Sequence, residues 1–294
     1  MDVVDTQVHS NVLGTPEAVI AIMDAVGVSS VLIDEYLAVE PDGRLTPDYR
    51  LADGASRPIG PGAEAASLAY PDRFQFLMRV NPFDPGLEGW VEVLKASPNC
   101  RALRVIVFGA REAAAFEDGG FDPLFRLAVK HDLPVFVTAP KRVKHLTLYA
   151  RAFPDLRIVI DHCGVDFAAT RGTASIDDSV EMAEYENIAF KWAHAAAFLS
   201  TAPYPYPDMD PKLRRVVDAY GPERVMWSSD YTVSSHRQNW AEALFYLRQS
   251  PVLSDSDREW ILGRTARKWL DWPAPAKPIK RPQLHPHNLG ADPA

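Results

Sequence analysis

Cysteine is almost missing: Cys100 and Cys163 are the two in 294 residues. Two thiols cannot build a disulfide framework, so a bridge-stapled secreted scaffold is excluded and reduced cytoplasmic thiols are expected. No apolar run approaches the roughly 20 residues that span a bilayer, so no membrane association is expected. The start, Met1-Asp2-Val3-Val4-Asp5, lacks the charged-then-apolar order of a secretory signal. Basic clusters are lacking as well. Lys plus Arg number 31 against 39 Asp plus Glu, a formal charge of −8. Without a basic face to neutralise phosphates, nucleic acid is not an expected partner. No G-x-G-x-x-G or G-K-[ST] follows the first apolar run, which removes the commonest nucleotide-binding reason for an open doubly wound sheet.

What is present is a recurring pattern. Eight short apolar runs occur at 3–8, 30–34, 74–81, 102–107, 133–138, 156–161, 187–192 and 224–228. They are rich in Val, Ile and Phe and mostly lack strict polar alternation, as parallel strands buried on both faces do. Helical patterns lie between them. The first, Thr15–Val26, opens with a Thr cap followed by Pro16 and closes before Gly27. Others run over 87–95, 123–131, 143–153, 211–220 and 237–248, and Ser254 caps a last one reaching about Trp269. Eight alternations predict an α/β fold, a (β/α)₈ TIM barrel in one domain over 1–271. Residues 36–62, rich in Pro and Gly, read as a loop insertion. Residues 272–294 hold six prolines and read as an extended tail, with His285 and His287 solvated in it.

In such barrels the C-terminal strand ends build the active site. Gln7 and His9 end the first strand, two apart and so on one face. Asp161-His162-Cys163-Gly164 ends the sixth, and Ser228-Ser229-Asp230 the eighth. Arg79, Arg104 and Lys191 sit on the third, fourth and seventh strands, with His194 just beyond the last of these. Strand alternation sets Asp161 opposite His162, so it is not expected to orient that ring. The same rule makes Cys163 a packing residue rather than a nucleophile paired with His162. Tyr204-Pro205-Tyr206-Pro207 reads equally as a pocket wall or a rigid surface loop.

Five segments carry a family resemblance: DTQVH at 5–9, LRVIV at 103–107, IVIDHCG at 158–164, GPERVMWSSD at 221–230 and GRTARKWL at 263–270. In this order they resemble the amidohydrolase superfamily, in the amidohydrolase-2 branch that includes 2-pyrone-4,6-dicarboxylate lactonase and sugar lactonases. The resemblance runs over 3–272. It implies a hydrolase that opens a small, carboxylated lactone, with Asp230 activating water, His9 and His162 polarising the carbonyl, and Gln7 donating its amide to the same oxygen. Arg104, Arg79, Lys191 and His194 would then bind a small anionic substrate. Against these stand plainer readings: Asp230 as a turn carboxylate, His162 as a buried ring bonded to backbone, His194 as a loop residue facing water, and the three cations paired with internal carboxylates such as Asp5.

Two departures from the family pattern bear on cofactors. Gln7 stands where the superfamily usually has the first His of His-x-His, and the fifth strand, with its run Val135-Phe136-Val137-Thr138-Ala139-Pro140, offers no His or Lys. No metal is therefore favoured; a divalent ion, zinc or manganese, would take His9, His162 and Asp230 if one is held. The open alternatives are a metal-free sugar-acid lactone isomerase, a metal-dependent amidohydrolase or decarboxylase, and a non-catalytic ligand-binding barrel. A homodimer is the expected assembly on general grounds.

Overall fold

Eight parallel strands pair in sequence order: β1 Val4–Val8, β2 Ser30–Asp34, β3 Phe74–Arg79, β4 Cys100–Ile106, β5 Val135–Thr138, β6 Ile158–Ile160, β7 Ile188–Ala193 and β8 Val225–Ser228. The computed structural model describes residues 1–9, 14–35, 48–52, 54–234 and 237–275. Part of the 36–62 segment and the tail beyond 275, with His285 and His287, lie outside them.

The near-absence of alternation in the strands has a direct cause. One residue from each strand (Val4, Leu32, Leu77, Ala102, Phe136, Val159, Ala189 and Met226) forms an apolar layer inside the barrel. Ala266, Trp269, Leu270 and Trp272, at the end of the last helical segment, pack onto that layer. The opposite faces, including Val31, Ile33, Phe74, Phe76, Leu103 and Val105, are buried in the larger core that includes the helices. Each fully buried side chain of this size contributes roughly 1.5–3 kcal/mol of transfer free energy. Both faces are thus apolar in the lower half of the barrel.

Helix α1, Pro16–Val26, follows its sequence signals: Thr15 accepts from the Ala18 amide, and Gly27 ends it in the left-handed region at φ +92°. Five helices, Pro61–Ala69, Ala110–Glu117, Asp177–Glu181, Ala195–Leu199 and Tyr231–Ser234, have no counterpart among the helical patterns of the sequence. Pro61 and Gly62 punctuate like a loop, although proline is well tolerated in a helix's first turn. The segment read as a loop insertion also contains a small antiparallel hairpin, Asp48–Arg50 with Ser56–Pro58. The 143–153 pattern divides into a 3₁₀ turn, Val143–His145, and a helix, Leu146–Ala152. The last helical segment passes through a π-helical stretch, Trp260–Arg264. Arg267 from that segment lies 2.9 Å from Asp2, tying it to the start of the chain. Among the described residues no helix is long and apolar enough to cross a membrane.

The first and last strands meet through side-chain and loop contacts. Thr6 donates its hydroxyl to the Trp227 carbonyl at 2.8 Å, and the Asp230 amide donates to the Gln7 carbonyl at 3.2 Å. Asp5 is fully buried at this seam. Its carboxylate accepts from the Ser229 amide at 2.9 Å, the Gln7 amide at 3.2 Å, the Ser228 hydroxyl at 3.2 Å and the Trp240 indole at 2.8 Å. Burial pushes its pKa up to about 6, with these donors offsetting only part of the penalty. The folded chain therefore holds the Asp5 proton more tightly than the unfolded chain does. The group's stabilising share is complete below an unfolded pKa near 4 and is lost as pH rises through about 6. Relative to Asp5→Asn, wild-type stability should fall by about 3 kcal/mol between pH 4 and pH 7.5. Urea unfolding of both proteins across that range checks this; a constant difference would contradict it.

Candidate active site

Above the apolar layer the barrel interior becomes polar. Gln7, Asp34, Arg79, Arg104, Thr138 and Lys191 come from β1, β2, β3, β4, β5 and β7, and Asp161 follows β6 immediately. All are buried. Four charges of alternating sign and one amide close into a ring. Arg104 donates through Nη1 to Asp34, and its Nε lies 2.8 Å from Asp161 Oδ2. Lys191 Nζ donates to Asp161 Oδ1 at 2.7 Å and to Gln7 Oε1. Gln7 Nε2 reaches back to Asp34 Oδ2 at 3.5 Å. Thr138 completes one corner, accepting from Arg104 at 3.1 Å and donating to Asp161 at 2.8 Å.

Burial alone would raise the carboxyl pKa values in this ring. For Asp161 the charges of Arg104, His162 and Lys191 outweigh burial and hold it well below the usual carboxylate range. Arg104, His9, Arg79 and Lys191 likewise outweigh burial at Asp34. Both acids are ionised at neutral pH, as the geometry requires.

The second tier stands on the strand ends. Asp230, His162 and His194 all have left-handed backbones, with φ of +41°, +52° and +50°. Non-glycine residues rarely adopt this conformation, and here it accompanies the convergence of three buried polar side chains. His162 Nε2 lies 2.9 Å and His194 Nε2 2.6 Å from Asp230 Oδ2, while His9 Nε2 lies 3.2 Å from Asp230 Oδ1. Gln7 Nε2 donates to Asp230 Oδ2 at 3.2 Å. The His162 and His194 rings stack with centroids 4.8 Å apart. Phe167 meets the edge of His162 at 5.3 Å and Phe198 that of His194 at 5.5 Å, so aromatic rings flank the pair. Burial opposes the charge on Asp230, but His194, His9 and His162 outweigh it and push its pKa well below the ordinary value. Burial lowers the pKa of His194. It also acts to lower that of His9, but the Asp230 and Asp34 charges prevail and leave it raised.

The donor set fits a divalent cation. His9 Nδ1 faces the Asp34 carbonyl at 2.6 Å, and a carbonyl can only accept, so this nitrogen carries the proton. His162 Nδ1 lies 3.0 Å from ionised Asp161. When neutral, both rings therefore aim Nε2 lone pairs at the Asp230 carboxylate. Two imidazole lone pairs facing an anion call for a positive charge between them, either a proton or a metal ion. His162, His194 and Asp230 offer ligand atoms within 4.8 Å of one another, and His9 adds a third imidazole.

Asp230, His9, His162 and Gln7 come together. His194 joins them, buried rather than facing water, because its left-handed backbone turns it onto Asp230. Arg104 and Lys191 are paired internally, with Asp34 and Asp161 rather than with Asp5. Arg79 lies 3.4 Å from Asp48 and 3.8 Å from Asp34, and donates to the Glu35 carbonyl at 3.3 Å. The expectation that Asp161 faces away from His162 is corrected. β6 stops at Ile160, and the 3₁₀ turn that follows breaks the alternation. Cys163 is buried, donates to the Ala193 carbonyl at 3.5 Å, and has its thiol pKa pushed up to about 12 by burial; this is packing chemistry. Tyr206 is buried against Tyr246. Asp34 and Thr138 were not anticipated. The signal for Asp34 was the one used elsewhere, a polar residue ending an apolar strand run.

The fold and the convergent His and Asp residues at its strand ends define an amidohydrolase-type barrel. The family profile described as Amidohydrolase matches residues 63–272, and the chain belongs to that family. Among individual proteins, it is 29% identical over 168 residues to an L-fucono-1,5-lactonase of Burkholderia ambifaria, an alignment spanning 52% of this chain and 57% of that relative's length. An amidohydrolase of Burkholderia multivorans, solved with bound HEPES, superposes with a TM-score of 0.71 at 15% identity, covering 93% of this chain and 100% of its own. The same protein solved with bound zinc gives 0.70 at 14% identity, with the same coverage. A putative 2-pyrone-4,6-dicarboxylic acid hydrolase of Pseudomonas putida gives 0.64 at 15% identity, covering 92% and 98%. At these identities the structural matches speak for the fold alone.

Removing Arg104 leaves two buried carboxylates short of their main counter-charge. Arg104→Met is expected to cost about 3–5 kcal/mol of stability, far more than loss of an exposed ion pair. Chemical denaturation at pH 7 measures it; a loss under 1 kcal/mol would show that the ring does not depend on Arg104.

Proposed function

We propose that this chain hydrolyses a small lactone, with Asp230 as the group that activates water. The observation that carries the reading is the Asp230 carboxylate, buried at the C-terminal mouth of the barrel with three imidazoles and an amide nitrogen around it. The L-fucono-1,5-lactonase relative supports a cyclic ester as substrate. In this reading Asp230 takes a proton from water as the oxygen attacks the lactone carbonyl. His9, whose cationic form the neighbouring carboxylates favour, donates through Nε2 to the developing oxyanion. The proton held on Asp230 then passes to the ring oxygen as the acyl–oxygen bond breaks, giving an open hydroxy acid. One water is consumed and no other reactant is needed.

His162, His194 and Asp230 would hold a divalent ion, zinc or manganese, which would serve as a Lewis acid toward the carbonyl, while His9 stays free to donate. Because Arg104 and Lys191 are neutralised by Asp34 and Asp161, a negative charge on the substrate no longer follows from them. Neutral sugar lactones and carboxylated lactones therefore belong in one panel.

A general base typically contributes about 10²–10⁴-fold. Asp230→Asn should lose turnover by that factor while its circular dichroism and melting curve stay close to wild type; full retained activity would remove the assignment. Reaction in ¹⁸O-water should leave one heavy oxygen in the product, whereas an acyl-shifting isomerase leaves none. Zinc or manganese added to chelator-treated protein should raise the melting temperature of wild type but not of His162→Asn. An equal shift in both proteins would place ion binding elsewhere.

A further inference from the structure

Lys191 has no solvent exposure, yet it is joined to two side chains that touch Asp230, to Gln7 directly and to His162 through Asp161. On one side its ammonium donates to Gln7 Oε1, and Gln7 Nε2 donates to Asp230 Oδ2 at 3.2 Å. On the other it donates to Asp161 Oδ1 at 2.7 Å; that same oxygen lies 3.0 Å from His162 Nδ1, and His162 Nε2 lies 2.9 Å from Asp230 Oδ2. The contacts form a closed loop from Lys191 through Gln7, Asp230, His162 and Asp161 back to Lys191. Its third neighbour is the Phe136 ring, 5.3 Å from Nζ, which shields it from below. We propose that Lys191 is a positioning residue, which holds Asp230 and His162 in register through Gln7 and Asp161 and does not touch substrate.

Two features of the chain support this. An amide has one accepting and one donating end, and an ammonium can only donate. With Lys191 on Oε1, the Gln7 nitrogen must face Asp230 and Asp34, and turning the amide over would set two donors against each other. The residue that departs from the family's His-x-His pattern is thus matched to the lysine on the seventh strand. The second feature is the sharing of Asp161 Oδ1: the oxygen that faces the His162 ring is itself held by Lys191.

The proposal rests on the lactone reading for its kinetics, so one measurement is independent of substrate. A crystal structure of Lys191→Met should show the Gln7 amide withdrawn from hydrogen-bond distance of Asp230; an unchanged Gln7–Asp230 contact would overturn the proposal even if no lactone is ever turned over. Where wild type opens a lactone, Lys191→Met should lower kcat by about 10–100-fold, the usual effect of losing a group that orients a site residue, with KM within twofold of wild type. A tenfold rise in KM with kcat preserved would instead make Lys191 a substrate-binding residue. No change in either constant would make it a bystander. If Lys191→Met does not fold, Lys191→Met/Asp161→Asn, which removes both charges, replaces it. Its kcat should match that of Asp161→Asn alone, because the loop acts as a unit; a further multiplicative loss would overturn the proposal. Failure of wild type on every lactone would fall on the activity reading, leaving the Gln7 geometry to decide the role of Lys191.

Discussion

The fit of Arg104 between Asp34 and Asp161 is the contact on which the rest of the barrel depends. Each buried ion carries a desolvation penalty of several kcal/mol that only close, well-placed counter-charges offset. Asp34 and Asp161 each meet Arg104, Lys191 answers the remaining oxygen of Asp161, and Gln7 closes the ring as a neutral link. Two acids and two bases balance, so the ring is neutral as a whole. None of the four charged members can be replaced singly without stranding an opposite charge. The layer also has a fixed height, above the apolar floor made by Phe136 and Met226 and below the histidines.

That height decides what the second tier can be. His162 stands with Nδ1 on Asp161 and His9 with Nδ1 on the Asp34 carbonyl, so the ring and the strand beneath it set which nitrogen each imidazole turns upward. Asp230 arrives from the far side of the barrel seam. The β8 end that carries it is held by the bonds of Ser228 and Ser229 to Asp5. Three left-handed residues then complete the approach. Structure and chemistry are hard to separate here, because the groups that neutralise the interior also orient the site.

Much of this was legible in the sequence. The eight apolar runs of Val, Ile and Phe located the strands because burial on both faces leaves no room for alternation. Polar residues at strand ends located Gln7, His9, His162 and Asp230, since a parallel barrel opens its chemistry there. What was not legible came from two causes. Strand periodicity holds only while the strand lasts. β6 is three residues long, so the rule that set Asp161 against His162 had already expired, and the same holds for His194 beyond β7. The partners of Arg104 and Lys191 needed register across strands far apart in sequence, which local pattern does not contain. Ala110–Glu117 escaped because its alanine-rich face lacks a strong apolar stripe.

The apolar floor has a consequence for how the chain comes into being. Trp269, Leu270 and Trp272 fill the underside of a layer to which all eight strands contribute, and Arg267 reaches Asp2. During synthesis the strands emerge one after another with their inward faces already apolar, but the residues that cover the floor come after the last of them. Until they appear, the growing polypeptide exposes an open hydrophobic well next to unpaired strand edges, the state most prone to aggregation. Completion of the barrel is therefore a late, cooperative event that joins the first strand to the last helical segment, and the apolar well stays open until that segment has been made.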